Sequence, residues 1–177
     1  YLLAWNQYLG DNHLESSGEA ADYIYEDGAV FSSDKKILYL ISDENSGLWM
    51  VPDGVEQIKT GAVNECENVE RLFIPDSIKS LDAESLDGEG LTEIFFQGTE
   101  PPKISKDTFG ALDTKKIAVY VPERYRSIYI EKWGEVLGED VAEELIQDTS
   151  CRLVETSDLV YLDVAERSIL IQAPKDI

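Results

Sequence analysis

The sequence predicts an α/β repeat solenoid, and three observations predict it. Two stretches match at an offset of 23: VPDGVEQIKTGAV from Val51 and IPDSIKSLDAESL from Ile74. Pro52 answers Pro75, Val55 answers Ile78, Ile58 answers Leu81 and Val63 answers Leu86. The same step carries Leu81 to Ile104 and Leu86 to Phe109, which makes PPKISKDTF a looser third copy. An apolar triplet precedes each turn: Trp49-Met50-Val51, Leu72-Phe73-Ile74, Ile94-Phe95-Phe96 and Val119-Tyr120-Val121. These steps are 23, 22 and 25, the last lengthened by GALDTKK before Ile117. Asp53-Gly54 and Asp76-Ser77 supply turn chemistry where each strand should stop. One unit of this length cannot close a core, but stacked units share one.

A period of 20–29 with one short strand per unit belongs to the leucine-rich-repeat regime. The expected class is therefore a leucine-rich-repeat right-handed superhelix with short parallel strands, flanking β-hairpins and short helices. The run L-x-I-P-x-S-I-x-x-L from Leu72 to Leu81, with Cys66 in ECENV, resembles the BspA-type leucine-rich repeats of bacterial surface proteins. The stretch from Pro101 to Trp133 is similar to the closing unit of such arrays, and DGAVFSSDKKILYLI from Asp27 to their opening hairpin. The resemblance spans roughly Tyr23 to Trp133. It departs from the pattern at Ala62-Val63 and Ser85-Leu86, where the family has an Ala-Phe pair, and at Gly88-Glu89, where a second Cys is expected.

Element by element, Tyr1 to Leu9 has apolar residues at helical spacing, and Asp11 to Ala21 reads as polar linker. Tyr23–Phe31 and Lys36–Ile41 should pair as a hairpin about Ser32–Lys35. Strands are expected near 48–51, 71–74, 93–96 and 117–121. After Pro122, Tyr125, Ile128, Tyr129 and Trp133 share one helix face, and Glu139–Ile146 reads as an acidic amphipathic helix. Leu153–Tyr161 and Ser168–Gln172 form a second hairpin.

A longer period underlies this one. Tyr1, Trp5, Leu9 and Gly10 recur as Tyr129, Trp133, Leu137 and Gly138, always 128 apart. We expect residues 1–22 to be the tail of a preceding module, 23–150 one whole module, and 151–177 the opening hairpin of the next. Residue 1 is Tyr and the only Met is Met50, so a piece of a tandem array of such modules is expected.

Composition limits the function. There are 36 acidic and 15 basic residues, for a formal charge of −21. Such a chain repels nucleic-acid phosphates, whose binding rests on Lys and Arg, and anionic membrane surfaces. No apolar run approaches the ~20 residues that span a bilayer. One His and two Cys exclude a Cys/His zinc cage and a disulfide framework. His13 sits in a polar linker with no nucleophile elbow nearby, and Cys66 reads as a small buried hydrophobe. A Cys66–Cys151 bridge would join two modules. Asp82, Glu84, Asp87 and Gly88 approach an EF-hand start, but the glycine is one place late. Glu139, Asp140, Glu143 and Glu144 read as a solvated helix face. No catalytic residue, cofactor or metal site is expected.

Strand alternation singles out one candidate face. If Trp49/Val51, Leu72/Ile74, Ile94/Phe96 and Val119/Val121 point into the core, then Met50, Phe73, Phe95 and Tyr120 point out of the open sheet. Arg71 and Glu93 would form a charged rim. Such a ladder either marks an interaction site or lies under a neighbouring helix or module. The resemblance implies a non-enzymatic adhesion module on a bacterial cell surface, capturing a host or neighbouring-cell protein or glycan on the repeat sheet face. The alternative is a structural spacer or self-associating array that carries a functional domain elsewhere.

Overall fold

The computed structural model describes residues 23–64, 66–110, 117–148, 159–164 and 167–172. The chain opens with β1 (Tyr23–Glu26), β2 (Ala29–Ser32) and β3 (Ile37–Ile41). It continues through β4 (Gly47–Met50), β5 (Gln57–Ile58), β6 (Val69–Ile74), β7 (Ser80–Leu81), β8 (Glu93–Phe96) and β9 (Ala118–Val121). Two helices follow, α1 (Arg126–Leu137) and α2 (Glu139–Leu145), then β10 (Ile146–Asp148). The last strands, β11 (Leu159–Val164) and β12 (Arg167–Gln172), pair antiparallel with each other.

This arrangement corrects the expected superhelix. β1 to β10 build two five-stranded sheets. Sheet 1, ordered β1-β2-β3-β5-β7, is mixed, because an antiparallel meander feeds its parallel strands. Sheet 2, ordered β10-β9-β8-β6-β4, is parallel throughout. Both helices follow the last repeat. The physical reason lies in the short unit. The first two repeats each spend their residues on one strand in each sheet, the third follows with β8 and a single bridge at Lys103, and the turns between leave too little chain for a helix.

The opening hairpin is a three-strand meander. Asp27 and Gly28 both adopt positive φ, 49° and 72°, in the two-residue turn between β1 and β2. Asp-Gly is the favoured pair for that turn because its backbone twist matches the strands. The second turn is locked by Ser32, whose Oγ accepts from the Lys36 and Ile37 amides at 3.2 and 3.0 Å.

The 23-residue repeat reappears as contacts between units. The Gly54 amide donates to Ser77 Oγ at 3.0 Å, and the Thr99 amide to Asp76 Oδ1 at 3.2 Å. Lys79 pairs with Glu56 at 2.6 Å and Lys59 with Asp82 at 2.8 Å. The main chain follows the same step: Gly61 donates to Glu84 O, and Glu84 to Asp107 O. Glycine is required where units approach most closely. A Cβ on Gly90 would sit 2.1 Å from the Glu67 carbonyl oxygen.

Side chains stack in columns through the core. Leu72, Ile94 and Val119 lie side by side in register and are fully buried. Val63, Leu86 and Phe109, one per unit, form a second buried column. Cys66 packs here as expected, 1 % exposed, with its thiol donating to Ile41 O at 2.7 Å. Beside it, Ala62, Ser85 and Thr108 occupy one repeat position and are all buried. Thr108 Oγ1 accepts from the Ser105 amide, but Ser85 Oγ has no partner among the described residues.

Helix α1 caps the last unit. Gly138, at φ 98°, ends it with its amide on Gly134 O. Tyr129 and Trp133 are buried against Phe96 at 5.9 and 5.3 Å between ring centroids. Each also carries a polar anchor. Tyr129 Oη donates to Gly98 O and Trp133 Nε1 to Pro102 O, both at 3.0 Å. Arg126 Nε reaches Ile146 O at 3.0 Å, holding β10 as the edge of sheet 2. Burial pushes the Tyr129 phenol well above its ordinary value, helped by the nearby Asp76 and Glu100 carboxylates.

Two outcomes follow. Ser85→Ala removes an orphaned hydroxyl at no packing cost, and should leave stability unchanged or raise it by about 1 kcal/mol in urea unfolding. A loss above that range would mean the hydroxyl has a partner. Because the Tyr129 pKa is raised on folding, its contribution is complete below its ordinary pKa of about 10 and falls as pH rises above that. Thermal melts should therefore weaken steeply in that alkaline range, and Tyr129→Phe should flatten the slope while lowering stability at neutral pH.

Candidate functional site

The face expected to carry the site is formed, but it is not open. Met50, Phe73, Phe95 and Tyr120 stand in register across β4, β6, β8 and β9. As the alternation requires, Phe73, Phe95 and Tyr120 make a cluster of their own, apart from the main core. Phe73 and Phe95 stack at 6.5 Å with planes 24° apart, and Phe95 and Tyr120 at 4.9 Å with planes 16° apart. All three are 4–6 % exposed, with Leu48 and Ala118 packed against them. Only Met50, at 48 %, presents substantial surface. Of the two readings open for this ladder, exposed face or covered face, the burial of its three aromatic members matches the covered one. Flat rings on parallel strands sit one strand spacing apart, so the ring faces that meet cover one another, and other neighbours cover the rest. Arg71 and Glu93 are cross-strand neighbours in the same register, both half-buried.

The other candidates resolve simply. Asp82 is held by Lys59 and Gln57, Glu84 is exposed at φ 56°, and Asp87 lies against Gly110. Among the described residues, no group of three or more His, Cys, Asp or Glu side chains is arranged to hold a metal ion. Glu139, Asp140, Glu143 and Glu144 are exposed on α2. His13, Cys151, the first helix and the linker lie outside the described residues. Among the described residues, no helix is long and apolar enough to cross a membrane.

Sheet 1 offers a more open surface. Its core residues Leu38, Ile58 and Leu81 are buried, so the residues on either side of each point outward. This places two rows across the strands. One row is Ile37, Gln57, Ser80 and Lys103, aligned by the strand register and the Ser80–Lys103 bridge. The other, one step along, is Tyr39, Lys59, Asp82 and Ser105. Asp82 ties the rows together, accepting from Gln57 Nε2 at 2.7 Å and from Lys59 Nζ at 2.8 Å. At the rim, Glu56 bridges Lys36 at 3.0 Å and Lys79 at 2.6 Å. Its hydrogen bonds to Lys79 and then Lys36 hold its carboxyl below the usual range, and raise Lys36 in turn.

A shallow groove of about 360 Å³ runs along the outer edge of this face, with Thr60, Ser80, Asp82, Lys103 and Ser105 as its polar lining and Leu81, Ala83 and Ile104 as its apolar lining. At the opposite end, Tyr39 meets Tyr23 edge-on at 5.0 Å between ring centroids. Burial raises the Tyr39 phenol above its ordinary value. The arrangement provides hydroxyls, an amide, a compensated carboxylate, ammonium groups and one aromatic ring on a single rigid sheet. It is suited to reversible binding of a polar ligand. The signal was present in the sequence: positions 57, 80 and 103 and positions 59, 82 and 105 recur at the repeat step, polar on either side of an apolar residue.

No family model matches the chain, and no curated protein matches it.

Asp82→Ala should leave Lys59 and Gln57 without their shared acceptor. For a partly exposed pair the expected loss is below about 1 kcal/mol, and it should shrink further at high salt in denaturant titrations. A loss of several kcal/mol would identify Asp82 as part of the core framework instead.

Proposed function

We propose that the chain is a non-enzymatic binding module of an extracellular bacterial surface protein, and that its ligand meets the outer face of sheet 1. The observation that carries this reading is the groove beside Asp82 and Lys103, an accessible surface of mixed polar and apolar lining built on regular strands. Sites on such elements keep their geometry without a ligand, which lowers the ordering cost of binding. The resemblance of the Leu72–Leu81 run to BspA-type repeats supports the cell-surface setting and a partner that is a host or neighbouring-cell protein or glycan. Linked copies would raise avidity without any new contact.

A second reading, a structural spacer or self-associating array, is favoured by the burial of Phe73, Phe95 and Tyr120, which leaves little of that stack for capture.

The test is a screen of the 177-residue chain, displayed multivalently, against host matrix proteins and a glycan array at physiological salt. We expect at least one ligand whose binding falls tenfold or more in an Asp82→Ala/Lys103→Ala variant with an unchanged circular dichroism spectrum. Binding that ignores this variant but is lost in folded Phe95→Ser would return the site to sheet 2. No binding in multivalent form would favour the spacer.

A further inference from the structure

We infer that the free edge of β4 is a self-association site, on which a second copy of this chain pairs its own β4 antiparallel about a two-fold axis. The inference stands apart from the sheet 1 ligand and gives the self-associating reading a definite surface. β4 ends sheet 2 and has β6 on one side only. The Gly47 amide donates to Asn68 O and the Val51 amide to Phe73 O, so residues 47, 49 and 51 turn their backbone groups toward β6. These groups alternate along a strand, so the N–H and C=O of Leu48 and Met50 point away from the sheet. Among the described residues nothing pairs with these four groups. The side chains leave the edge open as well: Met50 is 48 % exposed and Leu48 half-buried.

The edge is complementary to itself. With the axis at Trp49, Leu48 faces Met50 of the second copy, and Met50 faces its Leu48. Each is a hydrogen-bonded pair of an antiparallel ladder and exchanges two bonds. Four bonds then satisfy every outward group on both copies. Leu48 and Met50 lie on the outer face, so the row of Tyr120, Phe95, Phe73 and Met50 continues into the second copy through apolar side chains. A two-fold interface uses the same patch twice and closes at two copies.

Exposed edges are ordinarily blunted by charge. The chain has 36 acidic and 15 basic residues, yet none falls between Ser46 and Pro52. Pro52 and the positive φ of Gly47, 67°, bound the pairing without blocking it. The other strand edges differ. β10 ends in Asp148, and its Ile146 O already accepts from Arg126. β1 ends in Glu26, which pairs with Lys35.

The association is weak. A four-residue edge falls well short of the ~1,200–2,000 Å² of a stable interface, and each copy carries a formal −21. A dissociation constant of about 0.1–1 mM is expected. Salt should strengthen it, because screening shortens from ~10 Å at 0.1 M to ~3 Å at 1 M. Tethering several copies together would bring them into that range.

The test is sedimentation equilibrium of the intact chain from about 10 μM to about 1 mM, at low and high salt. The mean mass should rise toward two chains and no further, and more so at high salt. Met50→Lys, checked by circular dichroism, should weaken association tenfold or more, and Met50→Leu should retain it. Mild oxidation reads the register. Hydrogen-bonded pairs hold Cα atoms ~5.5 Å apart, within disulfide range. The Leu48→Cys/Met50→Cys variant should therefore cross-link into dimers, and neither single variant should cross-link faster than the unsubstituted chain. A monomer under all conditions, a mass that grows past two chains, association indifferent to Met50→Lys, or single variants that cross-link as well as the double would each overturn the inference. Met50 is exposed, so its variants keep the test valid if the double variant fails to fold. Binding on sheet 1 is read separately, by the Asp82/Lys103 variant.

Discussion

The structure depends on the hydrogen bonds that run from each unit to the next. Two-residue strands such as β5 and β7 have no stability of their own. They exist because Lys59 donates to Leu38 O, Asp82 to Ile58 O and Leu81 to Lys103 O, so the backbone of each unit is satisfied by its neighbours. Side chains repeat the principle through Gly54–Ser77, Thr99–Asp76, Lys79–Glu56 and Lys59–Asp82. A core shared in this way belongs to no single unit, and removing one would strip partners from two others. The ends therefore need different solutions. At the start, an antiparallel meander supplies β3 as the template for β5. At the finish, Tyr129 and Trp133 close the last layer with both apolar rings and polar anchors.

The two sheets differ in what they leave to solvent. In sheet 2 one side joins the main core and the other holds the Phe73, Phe95 and Tyr120 stack beside the charged Arg71 and Glu93. Sheet 1 is apolar inside and mostly polar outside, with Lys36, Lys79 and Glu56, and Lys59 and Asp82, paired across strands.

Much of this architecture was legible in the sequence. The offset of 23 between Pro52 and Pro75, and between Ile58 and Leu81, corresponds to units in contact, and the strands at 47–50, 69–74, 93–96 and 118–121 lie close to where the triplets place them. The helix face of Tyr129 and Trp133 was equally clear. What escaped was the second strand of each unit. Gln57–Ile58 and Ser80–Leu81 are too short to show alternation, and their pairing comes entirely from neighbours. Missing them hid sheet 1 and with it the candidate groove. The aromatic stack was legible as a row on one face but not as a covered one, because burial depends on tertiary neighbours that a local pattern does not encode.

Repeat position 61/84 has an evolutionary consequence. Gly61 adopts φ 73° there at little cost, whereas Glu84 holds φ 56°, a conformation that costs an ordinary residue about 1–2 kcal/mol. Glu84 persists because its carbonyl accepts from the Gly61 amide and its own amide donates to Asp107 O, which ties its backbone to both neighbouring units. Drift is thus tolerated in interior units, where the lattice dictates conformation, and is constrained at the termini of the stack, where one neighbour is missing. Divergence between repeats within one chain can then outrun divergence of the shape they share.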